Sequence, residues 1–185
     1  MIIENPLIES NIFLRVLCRE DVTTRYLSWL SDPEVVRYLE LRFSPPQTLV
    51  DLELFVNAVN DSDNSLMLGI FLKSDKLHIG NIKLGPIDRN HSTGDIGLLI
   101  GDRAHWGKGL ASKAIKLLSD YAYEELGLIK LTAGCYSSNE GSRRAFLNVG
   151  FTEEGRRTAQ YCLDGQREDA VLLGKVNPCF EKVRK

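Results

Sequence analysis

Two strand-like runs joined by one long helix limit the folds open to this chain more than any other feature. The runs are residues 94–100 and 129–135. Between them, apolar residues recur at intervals of three and four: Ala111, Ala114, Ile115, Leu118, Ala122 and Leu126. This spacing is typical of a helix with one apolar face. Because strands joined by a helical crossover run parallel, the sheet must contain one parallel pair.

The residues before this unit predict one strand, three helices and a hairpin. Residues 11–17 are rich in residues that favour strands. Good N-cap residues then open the three helices at Asp21, Asp32 and Thr48, and the second helix is expected to end at Leu39. The strands of the hairpin are residues 66–72 and 77–85.

The residues after the crossover complete a mixed α/β domain. Ser138 or Asn139 is expected to cap another helix, which Gly150 closes as a left-handed residue. A final hairpin turns at Asp164 and Gly165. We therefore predict a single domain over residues 1–176, with a sheet that is antiparallel apart from the one parallel pair. Residues 177–185 are predicted to be a dispensable tail.

Composition argues against several classes of protein. A length of 185 residues predicts a single domain. A formal net charge of -2 provides no basic surface that could bind nucleic acid. The N-terminal MIIENPLIES has neither the basic segment nor the apolar run of a signal peptide or spanning helix, so we expect a cytoplasmic protein. The cysteines form no CxxC pair and the histidines are isolated, so no metal site is expected.

The stretch HWGKGLASKA places a glycine-rich loop at the start of the crossover helix. Such a loop exposes backbone NH groups at the positive end of the helix dipole, which favours binding of a phosphate. A nucleotide triphosphatase loop does not fit, because the lysine lies between the glycines and Leu110 follows them. A dinucleotide fingerprint fits poorly, because Ser112 stands where the third glycine belongs.

The combination of WGKGLA with the later NEGSRRAFLNVGF resembles the core of the GNAT superfamily of acyl-coenzyme A N-acyltransferases. Within it, residues 14–173 look most like the ribosomal-protein alanine acetyltransferase (RimJ/RimL) group. The resemblance implies a GNAT fold in which two parallel strands, residues 96–100 and 130–135, splay apart to hold acetyl-CoA. It also implies a set of cofactor-binding residues: Leu98, Leu99, Ile100, Trp106, Gly107, Lys108, Gly109, Leu110, Ala111, Ser112 and Asn139. Trp106 departs from the arginine or glutamine usual at its place.

Acyl transfer needs a neutral amine, a polarised carbonyl and a proton for the leaving thiolate. Ser142 follows Asn139 at helical spacing and is the candidate proton donor, with a simple first-turn serine as the alternative. Asp95 beside the splay is the candidate base, with Glu168 and Asp169 as weaker ones. For each carboxylate the alternative is a solvated strand end.

We therefore expect an acetyl-CoA-dependent N-acetyltransferase that acts by direct attack in a ternary complex, as a monomer or homodimer. The acceptor is a primary amine, whether a protein N-terminus, an amino sugar, an aminoglycoside or a polyamine. The early helices and the loop at residues 42–46 are candidates for the acceptor wall. Two alternatives stay open: a non-catalytic sensor of acyl-coenzyme A and a nucleotide-binding domain.

Overall fold

One eight-stranded sheet organises the protein, with the strand order β1-β2-β3-β4-β5-β6-β8-β7. The computed structural model describes the backbone of residues 3–183 and the side chains of residues 3–180. The strands are β1 (Leu7–Glu9), β2 (Ile12–Val16), β3 (Leu66–Leu72), β4 (His78–Asp88), β5 (Thr93–Ile100), β6 (Lys130–Tyr136), β7 (Thr152–Leu163) and β8 (Gln166–Val176). All neighbouring strands are antiparallel except β5 and β6, which confirms the predicted mixed sheet with one parallel pair.

Helices cover both faces of this sheet. They are α1 (Thr24–Leu30), α2 (Pro33–Val36), α3 (Leu49–Asn60), α4 (Leu110–Glu124), α5 (Glu140–Leu147) and α6 (Pro178–Val183). The larger apolar cluster lies under α4 and α5, and a second cluster lies on the opposite face under α1, α2 and α3. The two faces are called the α4 face and the α1 face below. None of the helices within residues 3–183 combines the length and apolar character needed to cross a membrane.

Several predicted boundaries are confirmed. Thr48 caps α3 in a reciprocal arrangement with Asp51, and Asp32 caps α2. Gly150 has φ +90° after α5. The next residue packs back on this helix, with the rings of Phe146 and Phe151 5.0 Å apart. These features depend on local chemistry, which is why the sequence predicts them.

The prediction that Asp21 caps the first helix is wrong. Thr23 caps α1, and its side chain accepts a hydrogen bond from the Tyr26 amide. Asp21 lies in a preceding 3₁₀ turn, where both carboxylate oxygens accept hydrogen bonds from Arg15 at 2.6 and 2.7 Å. Because Arg15 on the preceding strand β2 holds the carboxylate, this ion pair overrides the capping preference of Asp21.

Two further differences concern element ends. The second helix ends at Val36 rather than Leu39, and a 3₁₀ turn at Glu40–Phe43 follows it. β1 was not predicted, and α6 falls within the predicted tail, of which residues 184 and 185 lie outside the described part of the chain. The tail is attached at Asn177, which donates hydrogen bonds to Ile129 O and Leu128 O. Its dispensability stays a prediction.

Candidate active site

The parallel strands β5 and β6 separate after only three paired residues. The register joins Thr93 to Lys130, Gly94 to Leu131 and Asp95 to Thr132. Beyond that point, no pairing joins the remaining residues of the two strands, and we call the resulting gap the slot. The slot opens toward the carboxyl ends of both strands, where α4 and α5 begin. A crevice of this kind is where ligands bind in parallel sheets.

The backbone of β5 supplies polar groups along one side of the slot. Gly101 donates to Ile79 O at 2.9 Å, on the β4 side. Since successive residues of a strand point their backbone groups to opposite sides, Leu99 also faces β4, while Leu98 and Ile100 face the slot. The backbone groups of Leu99 are therefore directed toward β4, and its predicted role in binding the cofactor stays a prediction. Its side chain packs against the apolar cluster on the α1 face.

The glycine loop has the conformation of an anion cradle. Gly107 and Gly109 have φ values of +70° and +72°, which strain any residue with a side chain. A Cβ atom at either glycine would meet nothing within 4 Å, so the space above the loop is open. The amides of residues 110–112 begin α4 and have no acceptor on a preceding turn. The loop therefore has the geometry to bind an anion such as a phosphate.

The side chains of this loop point to different neighbours. The Trp106 indole NH donates to Ile100 O at 2.7 Å. The tryptophan therefore covers the carbonyl at the last residue of β5, at the open end of the slot. Ser112 Oγ donates to Ala145 O at 3.1 Å and joins α4 to α5. Lys108 lines a cavity with Lys73, from the turn after β3, and so lies on the side of the loop away from β6. The predicted cofactor roles of these side chains stay predictions.

Asn139 and Ser142 meet at the N-terminus of α5, beside the open end of the slot. Asn139 is the N-cap of this helix, and its side-chain oxygen accepts a hydrogen bond from the Ser142 amide at 3.1 Å. Both residues are half-buried. Within the described residues no hydrogen bond is recorded for the Ser142 hydroxyl, so this group is available to a ligand.

Asp95 lies at the closed end of the slot, in the last pair before the strands separate. Its carboxylate accepts a hydrogen bond from Thr132 Oγ1 at 2.8 Å. Burial raises the pKa of Asp95, and this effect is opposed by the Thr132 hydrogen bond and by the positive charge of Lys83. A carboxylate with a raised pKa is a stronger proton acceptor.

The predicted base and proton donor lie at different parts of the slot, with Asp95 at its closed end and Ser142 at the start of α5. Asp95 points to the α1 face, since its neighbours Gly94 and Ile96 pack toward the α4 face, whereas Ser142 is on α5.

The carboxylates of the weaker candidate bases, Glu168 and Asp169, already accept hydrogen bonds within the protein. Glu168 accepts hydrogen bonds from the amide and hydroxyl of Ser138, and Asp169 accepts one from the Ala159 amide.

Two glycines that the sequence analysis did not select face each other across the slot. Gly97 on β5 and Gly134 on β6 are both exposed, and each comes two residues after the last paired position. A Cβ at Gly97 would meet nothing within 4 Å, and one at Gly134 would meet only Val171 O at 3.9 Å and Tyr161 Oη at 4.0 Å. We call this pair the glycine window. A glycine within a strand marks a possible close approach of another backbone or a ligand, and this signal was present in the sequence at both positions.

Aromatic side chains form one border of the glycine window. The rings of Tyr136 and Tyr161 stack with centroids 4.0 Å apart. Arg42 donates to Tyr136 Oη at 2.8 Å and to Cys162 O at 2.5 Å, and so attaches the turn after α2 to β6 and β7. The segment predicted as an acceptor wall therefore lies beside the window.

His78 packs in the core, His105 forms a salt bridge before the glycine loop, and His91 is exposed. His78 Nε2 lies 2.9 Å from Asn81 Oδ1, and the ring packs against Trp29 and Phe71. Burial lowers the pKa of His78. His105 pairs with Asp102 at 2.8 Å. Among the described residues, no group of histidine, cysteine or acidic side chains has a geometry that could hold a metal ion.

The slot, the glycine loop and the crossover together define an acyltransferase core, and comparison with known proteins agrees. A family model described as the acetyltransferase (GNAT) domain matches residues 11–152, and the chain belongs to this family. It is an N-acetyltransferase that uses acetyl-CoA. The predicted membership of the superfamily is therefore confirmed.

Three relatives show how the likeness is distributed. The probable N-acetyltransferase YjcK of Bacillus subtilis is 37% identical over 123 residues, which are 66% of this chain and 67% of that protein. The spermidine N(1)-acetyltransferase of Escherichia coli (strain K12) is 29% identical over 166 residues, 88% of this chain and 84% of that protein. The structure of ribosomal-protein-S5-alanine acetyltransferase from Vibrio fischeri has the same fold, with a TM-score of 0.78, 18% identity, and coverage of 95% and 98% of the two chains.

Proposed function

We propose that the protein transfers the acetyl group to a primary amine by direct attack within a ternary complex formed in the slot. The observation that carries this proposal is the slot itself, which has an anion cradle at one end and a half-buried carboxylate at the other. Acetyl-CoA supplies the thioester when bound. The chain has to hold the phosphates, polarise the carbonyl and handle two protons.

The glycine loop and β5 would hold the coenzyme. The amides of residues 110–112 bind the pyrophosphate at the positive end of α4. Leu98, whose backbone groups face the slot, donates its NH to the thioester carbonyl and stabilises the charge that develops there. Asn139 orders the start of α5 on the other side.

Asp95 and Ser142 would carry out the two proton transfers of the reaction. As the N–C bond forms and the C–S bond breaks, Asp95 takes a proton from the amine through water, and Ser142 gives one to the departing sulfur. Asp95 then releases its proton to solvent, and Ser142 regains one from solvent. An amine with a pKa of about 10.4 requires about 4.6 kcal/mol to deprotonate at pH 7, whereas one near 8 requires about 1.4 kcal/mol. A remote base acting through water is sufficient for the second kind of amine.

The acceptor is a small amine or a protein N-terminus, and the relatives support both classes. A spermidine acetyltransferase and a ribosomal-protein alanine acetyltransferase are each similar to this chain over most of its length. The second similarity is the one expected of a member of the RimJ/RimL group. We also propose that the protein acts in the cytoplasm, as a monomer or homodimer.

Calorimetric titration with acetyl-CoA tests the coenzyme site. Gly109→Asp places a carboxylate in the cradle, whereas Gly165→Asp makes the same change at another open glycine of positive φ, in the β7–β8 turn. We expect micromolar binding by the wild type and Gly165→Asp, and none by Gly109→Asp. Equal binding by all three would refute the cradle. Thiol release is then measured with spermidine and with peptides that begin with alanine or serine. No release with any of them would refute the proposed acceptors.

A further inference from the structure

Lys83 on β4 places a positive charge on the α1 face of the sheet, beside the slot. Its neighbours along the strand, Ile82 and Leu84, are fully buried in the apolar cluster of the α4 face. Since successive side chains of a strand point to opposite faces, Lys83 extends over the α1 face. Its partner across the β4–β5 ladder is Gly97 of the glycine window. Because Gly97 has no side chain, no group on β5 separates Lys83 from the slot at this position.

The Lys83 ammonium has no fixed partner within the part of the chain that the structure describes. Over residues 3–180 it makes no hydrogen bond and no salt bridge, although the residue is half-buried. Asp95 comes two residues before Gly97 and lies on the same face, diagonally across from Lys83. The positive charge of Lys83 lowers the pKa of Asp95. The space above Gly97, next to both charged groups, is open, since a Cβ there would meet nothing within 4 Å.

We propose that Lys83 selects the acceptor by charge, by binding a carboxylate that the acceptor carries close to its reacting amine. This inference rests on the proposed function, because it narrows the class of acceptor for the same site. One ammonium balances one negative charge, so the assigned group is a carboxylate and not a phosphate ester with nearly two charges. The favoured acceptor is then an acidic peptide or a small amino acid, and spermidine belongs to the disfavoured class.

The opposite charges of Lys83 and Asp95 match the two charges of such an acceptor. The reacting amine arrives as an ammonium and is attracted by Asp95, which also takes its proton in the proposed mechanism. An acceptor carboxylate is attracted by Lys83, whereas a second ammonium is repelled by it. Both residues are half-buried, where charges interact more strongly than in bulk water. The pair therefore suits an acceptor with one positive and one negative group, and opposes a polyamine.

Two peptides that differ in one charge test this assignment. Both begin with alanine and end with two glycines, and the second residue is glutamate in one and lysine in the other. The two peptides react through the same kind of α-amino group, so a change in the basicity of Asp95 affects both equally. The ratio of their kcat/KM values therefore reports recognition of the second charge alone.

Lys83→Met and Lys83→Glu are compared with Lys76→Met, which makes the same change in the exposed turn between β3 and β4. We expect the wild type to favour the glutamate peptide over the lysine peptide by about tenfold, as for one charge interaction in a half-buried site. Lys83→Met should abolish this preference, and Lys83→Glu should reverse it. Lys76→Met should keep the wild-type ratio. All three variants should bind acetyl-CoA with a Kd within about twofold of the wild type.

The failure of this inference and the failure of the proposed function give different results. Equal ratios in the wild type and both Lys83 variants would overturn the inference while the proposed function stands. A wild-type kcat/KM that is higher for spermidine than for the glutamate peptide would also overturn it. So would a loss of acetyl-CoA binding in Lys83→Met, which would assign Lys83 to the coenzyme. A wild type that releases no thiol with spermidine or either peptide would instead overturn the proposed function.

Discussion

Replacing Arg42 with methionine removes the attachment between the turn after α2 and the β6–β8 part of the sheet. The guanidinium donates to Arg37 O at 2.7 Å, to Tyr136 Oη at 2.8 Å and to Cys162 O at 2.5 Å. It also lies 4.2 Å from the centre of the Phe43 ring. Methionine keeps the length and apolar stem of the side chain but none of the hydrogen bonds.

The expected cost follows from those three hydrogen bonds. A net contribution of about 0.5–1.5 kcal/mol each gives a loss of about 1.5–4.5 kcal/mol. For a chain of this size, each kcal/mol lowers Tm by about 2–4 °C, so we expect a decrease of roughly 3–18 °C. The KM for the amine should also rise, because the wall beside the glycine window loses its support.

Thermal unfolding and urea titration measure this loss, and Arg89→Met is the matched control. Arg89 is exposed and makes one long hydrogen bond to Asp63 O at 3.3 Å. Its replacement should change stability by less than about 0.5 kcal/mol. If Arg42→Met unfolded within 1–2 °C of Arg89→Met, roughly the effect of an ordinary surface substitution, the attachment would not stabilise the fold.

Three further predictions concern the slot and the core. Burial raises the pKa of Asp95, so at this group the folded state binds more protons than the unfolded state between the two pKa values, and the contribution of Asp95 to stability falls as pH rises through that window. Asp95→Asn should therefore gain stability relative to the wild type from pH 4 to pH 7 in urea titrations, and a constant difference would contradict this cause. Trp106→Phe removes the donor to Ile100 O and should weaken acetyl-CoA binding about three- to tenfold by calorimetry; an unchanged Kd would show that the tryptophan does not order the slot edge. Phe146→Ala, at a side chain only 1% exposed, should cost about 3–5 kcal/mol in chemical unfolding, and a cost below about 1 kcal/mol would mean that α5 is not held by this contact.

The parallel crossover was predictable because it depends on periodicity and connection length alone. The loop glycines were predictable for a similar reason, since their positive φ values are a local requirement. The cap at Asp21 was not, because aspartate and threonine have similar capping preferences and Arg15, on the strand just before, holds the Asp21 carboxylate. Local patterns therefore predict the order of elements, and side-chain contacts outside a helix decide where it begins.

The acceptor side of the site could not be predicted from a single sequence. The glycine window exists because the β5–β6 register places Gly97 and Gly134 at equivalent positions, and the register across the crossover of residues 101–129 is not visible in either strand. Tyr161 reaches the window only because a bulge shifts β7 between Arg157 and Tyr161. Asp95 and Ser142 were each plausible alone, and only the fold shows that they lie on opposite faces of the sheet.

A crystal structure of the protein with acetyl-CoA tests the central claim most directly. We expect the pantetheine arm in the slot between β5 and β6, the pyrophosphate on the amides after Gly109, and the thioester oxygen about 3 Å from the Leu98 amide, as in an ordinary hydrogen bond. The acetyl group should face the glycine window. Coenzyme bound elsewhere, such as in the cavity beside Lys73 and Lys108, with the slot left empty, would contradict the account.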